Sequence, residues 1–233
     1  ALISVFDKTG VVKLAQSLNE LGVEILSTGG TAKTLRDSNI PVTNVSDYTR
    51  FPEMMDGRIK TMNPLIEGGI LGLRDKHSYD AEANNIKWID LVVCNLYPFS
   101  ETISREDCDL ALALENVDIG GPTMIRSAAK NIGWVCAVVD PTDYSIVTDK
   151  LQSGEISFEL RKTLSAKAFG HTAQYDTIIH NYLKDEKLSD DLSLTFEKLS
   201  EMRYGENPHQ SAASYKIPGN TEANVLNAII HQG

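Results

Sequence analysis

Short apolar runs alternate with helix-periodic stretches through most of the chain. Runs at Leu2–Phe6, Val23–Ser27, Val42–Val45, Ile70–Leu73, Leu91–Asn95 and Val135–Val139 are bounded by turn formers and read as strands. Between the first two, Val11, Leu14, Ala15, Leu18 and Leu21 recur at helical spacing, and Gly22 supplies a stop. Thr31–Asp37 predicts a shorter helix before Pro41. Ser104-x-x-Asp107 has the spacing of a capping signature, and Asp140-Pro141 opens a helix that Gly154 closes. Ser157 to about Lys187 predicts one long helix, with Leu160, Leu164, Ala168, Phe169, Tyr175, Ile178, Ile179 and Leu183 on its apolar side. Strands that are apolar nearly throughout, each followed by a helix, predict an α/β fold: a mostly parallel sheet with helices on both faces. Ligands of such folds bind beyond the carboxyl ends of the strands. The loops after Phe6, Ser27 and Val93 are therefore the place to look for a site.

The pattern changes behind the long helix. "KDEKLSDD" is polar and reads as a linker, and "LSLTFEKL" alternates like a strand of another unit. The division expected is residues 1–190 and 191–233, the second part too short to close a core of its own. At 233 residues, 42% apolar and 23% charged, the chain suits one domain plus the start of another. The opening "ALISVF" already has the character of a buried strand, so the fold is expected to begin there. No apolar run is long enough to span a bilayer and nothing at the start resembles a signal peptide, which predicts a cytoplasmic protein.

A formal net charge of −10 excludes a broad nucleic-acid or anionic membrane surface. Any anion must then be bound locally, by a few cations and backbone N–H groups brought together. Cys94, Cys108 and Cys136 lack C-x-x-C spacing; Cys94 and Cys136 lie in apolar runs and read as buried reduced thiols. The five histidines show no metal-ligand spacing, so no metal is expected.

The candidate chemistry begins at "EILSTGGTAKTL". An apolar run breaks into Ser27-Thr28-Gly29-Gly30-Thr31 and a helix follows, which suits an anion at a helix N-terminus, though a Gly-Gly turn alone needs no ligand. The segment lacks both the Lys-Ser/Thr pair of a triphosphate loop and the spacing of a dinucleotide fold. "FDKTG" brings Lys8 to the same sheet edge, and "DGRIKTMNP" offers Arg58, Lys60 and Thr61. In an acidic chain these are the cations anion binding requires. Asn95 ends a strand with Tyr97 just beyond it. Asp118 precedes Gly120-Gly121-Pro122 and a helix; it is either an N-cap or a polar group beside bare N–H groups fit for an oxyanion. Lys130 either complements the dipole of that helix or moves a proton. Spacing does not choose between these.

Taken in order, "SVFDKTG", "STGGT", "GRIKT", "NLYPF", "DIGG", "AAKN" and "RYGENPHQ" closely resemble the PurH family of bifunctional purine-biosynthesis proteins, over essentially the whole chain. The resemblance implies an IMP cyclohydrolase domain with a methylglyoxal-synthase-like fold, then the truncated start of a cytidine-deaminase-like AICAR transformylase domain. The implied reaction is ring closure of FAICAR to IMP with loss of water and without a cofactor. The missing transformylase would use 10-formyltetrahydrofolate, and the full-length protein would be a homodimer. By motif match Phe6, Asp7, Lys8, Thr28, Gly29, Gly30, Thr31, Arg58, Ile59, Lys60, Thr61, Cys94, Asn95, Asp118 and Ile119 would line the nucleotide site. Lys130 takes the position of the proton donor and acceptor, with Tyr97, Asp118 and Lys60 as helpers. Arg203 and Tyr204 match AICAR-binding positions of the second domain. Three positions depart from the family: Phe6 replaces a common serine, and Asn63 and Glu67 replace two histidines. A phosphate-sensing regulatory domain of the same fold would not need Tyr97, Asp118 and Lys130 together. A triose-phosphate lyase of that fold would have no place for "RYGENPHQ".

Overall fold

The computed structural model describes residues 1–184 and 190–218, with an isolated Val225. In chain order the elements are β1 (Leu2–Val5), α1 (Val11–Glu20), β2 (Leu26–Ser27), α2 (Gly29–Asp37), β3 (Thr43–Asn44), α3 (Val45–Thr49), α4 (Pro64–Leu71) and α5 (Ser78–Ala83). They continue with β4 (Leu91–Asn95), α6 (Phe99–Ile103), α7 (Leu110–Glu115), α8 (Gly120–Lys130) and β5 (Cys136–Val138). A 3-10 turn (Pro141–Asp143), α9 (Tyr144–Gln152), α10 (Phe158–Leu183), β6 (Glu197–Met202) and β7 (Ala212–Lys216) complete them.

Five strands form one parallel sheet in the order β3-β2-β1-β4-β5. Alternate residues of each strand feed opposite faces. Ile3, Val5, Leu91, Val93, Cys136 and Val138 pack with Val11, Leu14, Leu18, Leu35 and Val147 of α1, α2 and α9. Leu2, Val92, Cys94 and Ala137 pack with Ile66, Ile70, Met124, Ile125, Ala128 and Tyr175 of α4, α8 and α10. Burial on both faces is why these strands read as continuous apolar runs. The strand order reverses between β1 and β4, so the crevice for a ligand opens there.

Several local expectations are corrected. Ile70–Leu73 is no strand: Pro64 and the Asn63 side chain, which accepts the Leu65 N–H at 2.9 Å, start helix α4, and Ile66 and Ile70 bury one turn apart. Ser104 closes α6, and Asp107 pairs with Arg105; the cap of α7 is Asp109, whose carboxylate accepts the Leu112 N–H at 2.8 Å. The strands at β2 and β3 are shorter than their apolar runs. The long helix starts where expected, with Ser157 as its N-cap, but Phe169 is exposed beneath the Arg126 guanidinium rather than in the core. Helix α10 runs to Leu183, and Lys187 lies outside the described residues.

Beyond residue 190, β6 begins only at Glu197 and pairs antiparallel with β7 in a separate two-stranded sheet. "RYGENPHQ" forms most of its connection, closed by a 2.9 Å hydrogen bond from Gly205 N–H to the Gln210 carbonyl. Among the described residues no helix is long and apolar enough to cross a membrane.

Candidate active site

The ends of β1, β2 and β4 meet around one cavity of about 870 Å³. Asn95, buried at the end of β4, sets the first wall. Its Oδ1 accepts the N–H groups of Phe6 at 2.8 Å and Asp7 at 2.9 Å, and its Nδ2 donates to the Asp7 carbonyl at 3.1 Å. One amide thus fixes the loop that carries Phe6 and Lys8. The Phe6 ring meets Tyr97 edge to face, centroids 4.5 Å apart at 80°. These rings make an aromatic side to the cavity.

Opposite lies the N-terminus of α2. Thr28 is extended, Gly29 has φ +54°, and no side chain caps the first turn. Its N–H groups are therefore available to an anion, and the helix dipole favours one. Two ammonium groups flank it. A methyl placed on Gly30 would lie 3.9 Å from Lys8 Nζ, and one on Gly29 would lie 3.9 Å from Lys60 Nζ. Lys60 is steadied by Glu53 at 3.4 Å, which also takes the Thr28 hydroxyl at 2.9 Å. Arg58 is ion-paired with Glu115. The Thr31 hydroxyl is taken up by the main chain: its Oγ1 accepts the Val5 N–H at 3.1 Å and donates to the Val5 carbonyl at 2.9 Å.

The third side is the start of α8. The Asp118 carboxylate accepts the Gly121 N–H at 2.9 Å, so that N–H is not bare. Asp118 stands one residue before the N-cap Ile119, holds the first turn of α8 from there and also lines the cavity. Thr61 is buried against the same turn; a methyl on Gly120 would come within 3.1 Å of its Oγ1. Cys94, wholly buried, has its thiol pushed well above the usual range by burial and by the nearby Asp118, and stays neutral.

Phe6, Lys8, Thr28–Thr31, Arg58–Thr61, Cys94, Asn95, Tyr97, Asp118 and Ile119 all line this one cavity. Asp7 does not; it is exposed and borders a neighbouring cavity of about 990 Å³. Lys130 does not reach the site either. It sits ten residues beyond Gly120, about 15 Å along the axis at 1.5 Å per residue, and is exposed at the far end of α8. Arg203 and Tyr204 lie in the β6–β7 connection, and Arg203 borders a separate cavity there. Asn63 and Glu67 are outside the site: Asn63 caps α4, and Glu67 accepts the Ser127 hydroxyl at 2.8 Å.

Glu53, Glu115 and Tyr175, which position site residues, went unrecognised in the sequence. Acidic partners of cations far away in the chain leave no local pattern. Tyr175 did carry a signal, since a hydroxyl on an apolar stripe needs a buried partner; here it accepts the Asp118 N–H at 2.8 Å.

The five-stranded parallel sheet with helices on both faces is that of an MGS-like domain, whose model residues 10–123 match. Residues 128–233 match the model of the AICARFT/IMPCHase bienzyme, the two matches meeting inside α8. The crystal structure of ForH is similar, with 33% sequence identity and a TM-score of 0.72, over 78% of this chain and 97% of that one. The chain belongs to the AICARFT/IMPCHase family of PurH-type bifunctional purine-biosynthesis enzymes.

Proposed function

We propose that this chain closes FAICAR to IMP. The observation that carries the reading is the three-sided cavity: Lys8, Lys60 and the α2 N–H groups at one side, Tyr97 at a second and Asp118 at the third. Its volume falls within the usual range for small-molecule sites. The anion side suits the 5′-phosphate of the ribosyl group, and the aromatic side suits the imidazole. Ring closure joins the carboxamide nitrogen to the formyl carbon. The carboxamide nitrogen gives up one proton and the formamido nitrogen another. Both reach the formyl oxygen, whose C–O bond breaks as the ring C=N bond forms, and the oxygen leaves as water. No electrons are transferred, so the chemistry calls for no redox cofactor. An amide nitrogen is a poor nucleophile, so placing it against the formyl carbon and moving its proton are the protein's tasks. The Tyr97 hydroxyl suits the formyl oxygen. Asp118 and Lys60 suit the proton transfers; Lys130 is not among the residues lining this cavity.

The test is to mix purified chain with FAICAR, follow purine absorbance and identify IMP by mass. Asp118→Asn is expected to lower kcat by about 10²-fold or more, while Lys8→Ala chiefly raises KM. A wild type that binds ribose 5-phosphate but forms no IMP would make the domain a phosphate sensor instead. On the same reading, AICAR formylation with 10-formyltetrahydrofolate and homodimer formation belong to the longer protein.

A further inference from the structure

We infer that Tyr175 of α10 is the positioning residue for Asp118, an inference that rests on the cyclisation reading above. The phenol oxygen accepts the Asp118 N–H at 2.8 Å and faces the Asn116 carbonyl at 3.5 Å. A single hydroxyl therefore ties both ends of the three-residue turn leading to Asp118. From the other side, the Asp118 carboxylate takes the Gly121 N–H at 2.9 Å. The turn hangs between two helices, its backbone pinned by α10 and its side chain by α8.

The phenol is itself held in place. Tyr175 is only 6% exposed, and its ring meets the buried Phe99 at 6.4 Å and 73°. Burial raises its pKa, outweighing the Asp118 N–H bond that lowers it, so the hydroxyl keeps its proton at neutral pH. One and two turns further along α10, Ile179 and Leu183 form part of the cavity wall, so the same helix face carries both wall and anchor. Without the hydroxyl, the half-buried Asp118 N–H loses its partner and is left unpaired. The turn would relieve that by rotating towards solvent, taking the carboxylate out of register with the forming ring. Binding of the phosphate, at the α2 N-terminus, would not change.

The experiment compares Tyr175→Phe with Tyr182→Phe, whose ring also packs on Phe99, at 5.6 Å. FAICAR closure, IMP affinity by calorimetry and amide hydrogen exchange at Asp118 are measured at equal folded fraction. Tyr175→Phe is expected to lower kcat about tenfold, leave KM and the IMP Kd within twofold, and speed Asp118 amide exchange at least tenfold. Tyr182→Phe should change none of these by more than twofold. An unchanged Asp118 exchange rate, or KM and Kd weakening in step with kcat, overturns the assignment. A wild type that binds IMP yet closes no FAICAR overturns the cyclisation reading alone, and the exchange measurement then still decides whether Tyr175 holds Asp118.

Discussion

Thr31 shows how one hydroxyl can set the height of a binding site. It bonds both main-chain groups of Val5, the last residue of β1, and so locks the first turn of α2 beside that strand. Thr31→Val keeps the shape but leaves a buried N–H and carbonyl without this partner. Stability should fall by about 2–3 kcal/mol, read from urea unfolding, and Thr31→Ser should recover most of it. The sequence placed this threonine correctly at a helix start beside glycines, but residue spacing does not reveal which way a hydroxyl turns. Glu67 is a residue of the opposite kind. Burial pushes its carboxyl pKa up, partly offset by the Ser127 hydroxyl, and its Oε1 has no partner. A raised folded pKa means its favourable contribution is complete below the unfolded pKa and disappears as pH rises through the folded one. At pH 7, above the unfolded pKa, the fold disfavours the ionised form, and Glu67→Gln should stabilise it by up to about 1 kcal/mol. Denaturation curves should show that gain at pH 7 and little difference near pH 4.

At the scale of elements, α8 is the one on which site and stability most closely depend. Gly121, in its first turn, has no room for a side chain: an added methyl would collide with the Asp118 carboxylate and the Leu96 side chain. Gly121→Ala should displace Asp118, lower FAICAR closure by at least about tenfold and cost about 1–3 kcal/mol in denaturant unfolding. Gly170 is the useful contrast. It is exposed in the middle of α10 with nothing within 4 Å of an added methyl, so Gly170→Ala should gain about 0.5–1 kcal/mol. Elements were legible where one period dominated. Strands β1, β4 and β5 are buried on both faces and read as unbroken apolar runs; α1 and α10 repeat at helical spacing. Ile70–Leu73 misled because a short apolar run has no period of its own, and the Asn63 cap and Pro64 that decide it lie upstream. The Ser104 signature misled because Asp109, five residues later, makes the stronger cap.

At the scale of the molecule, an acidic chain holds an anion by sorting its charges: the reversal of strand order gathers Lys8, Arg58 and Lys60 at one cavity, with Glu53 and Glu115 bound to two of them. The alternation of strands and helices announced that convergence, but not the direction in which α8 leaves the site, which carries Lys130 away. A second charge cluster secures the far edge of the sheet. Lys167 of α10 lies 2.7 Å from both Asp140 and Asp143, tying the long helix to the turn after β5. Burial raises the Asp140 pKa, but hydrogen bonds from Lys167 and from the Thr142 hydroxyl and N–H outweigh it and bring it down from 3.8 to about 2. A depressed folded pKa means the stabilisation is complete above the unfolded value and is lost as pH falls through about 2. The Asp140 side chain is about a third exposed, so solvent screening reduces that contribution to roughly 1 kcal/mol. Asp140→Asn keeps an acceptor for Thr142 and leaves Lys167 its Asp143 partner, so the change isolates the charge. Urea midpoints at constant ionic strength should show the variant less stable by that amount at pH 7 and still so near pH 5, the gap closing between about pH 4 and pH 2. A gap that persists undiminished to pH 2 would mean that the clamp acts through shape and not through the ionised Asp140.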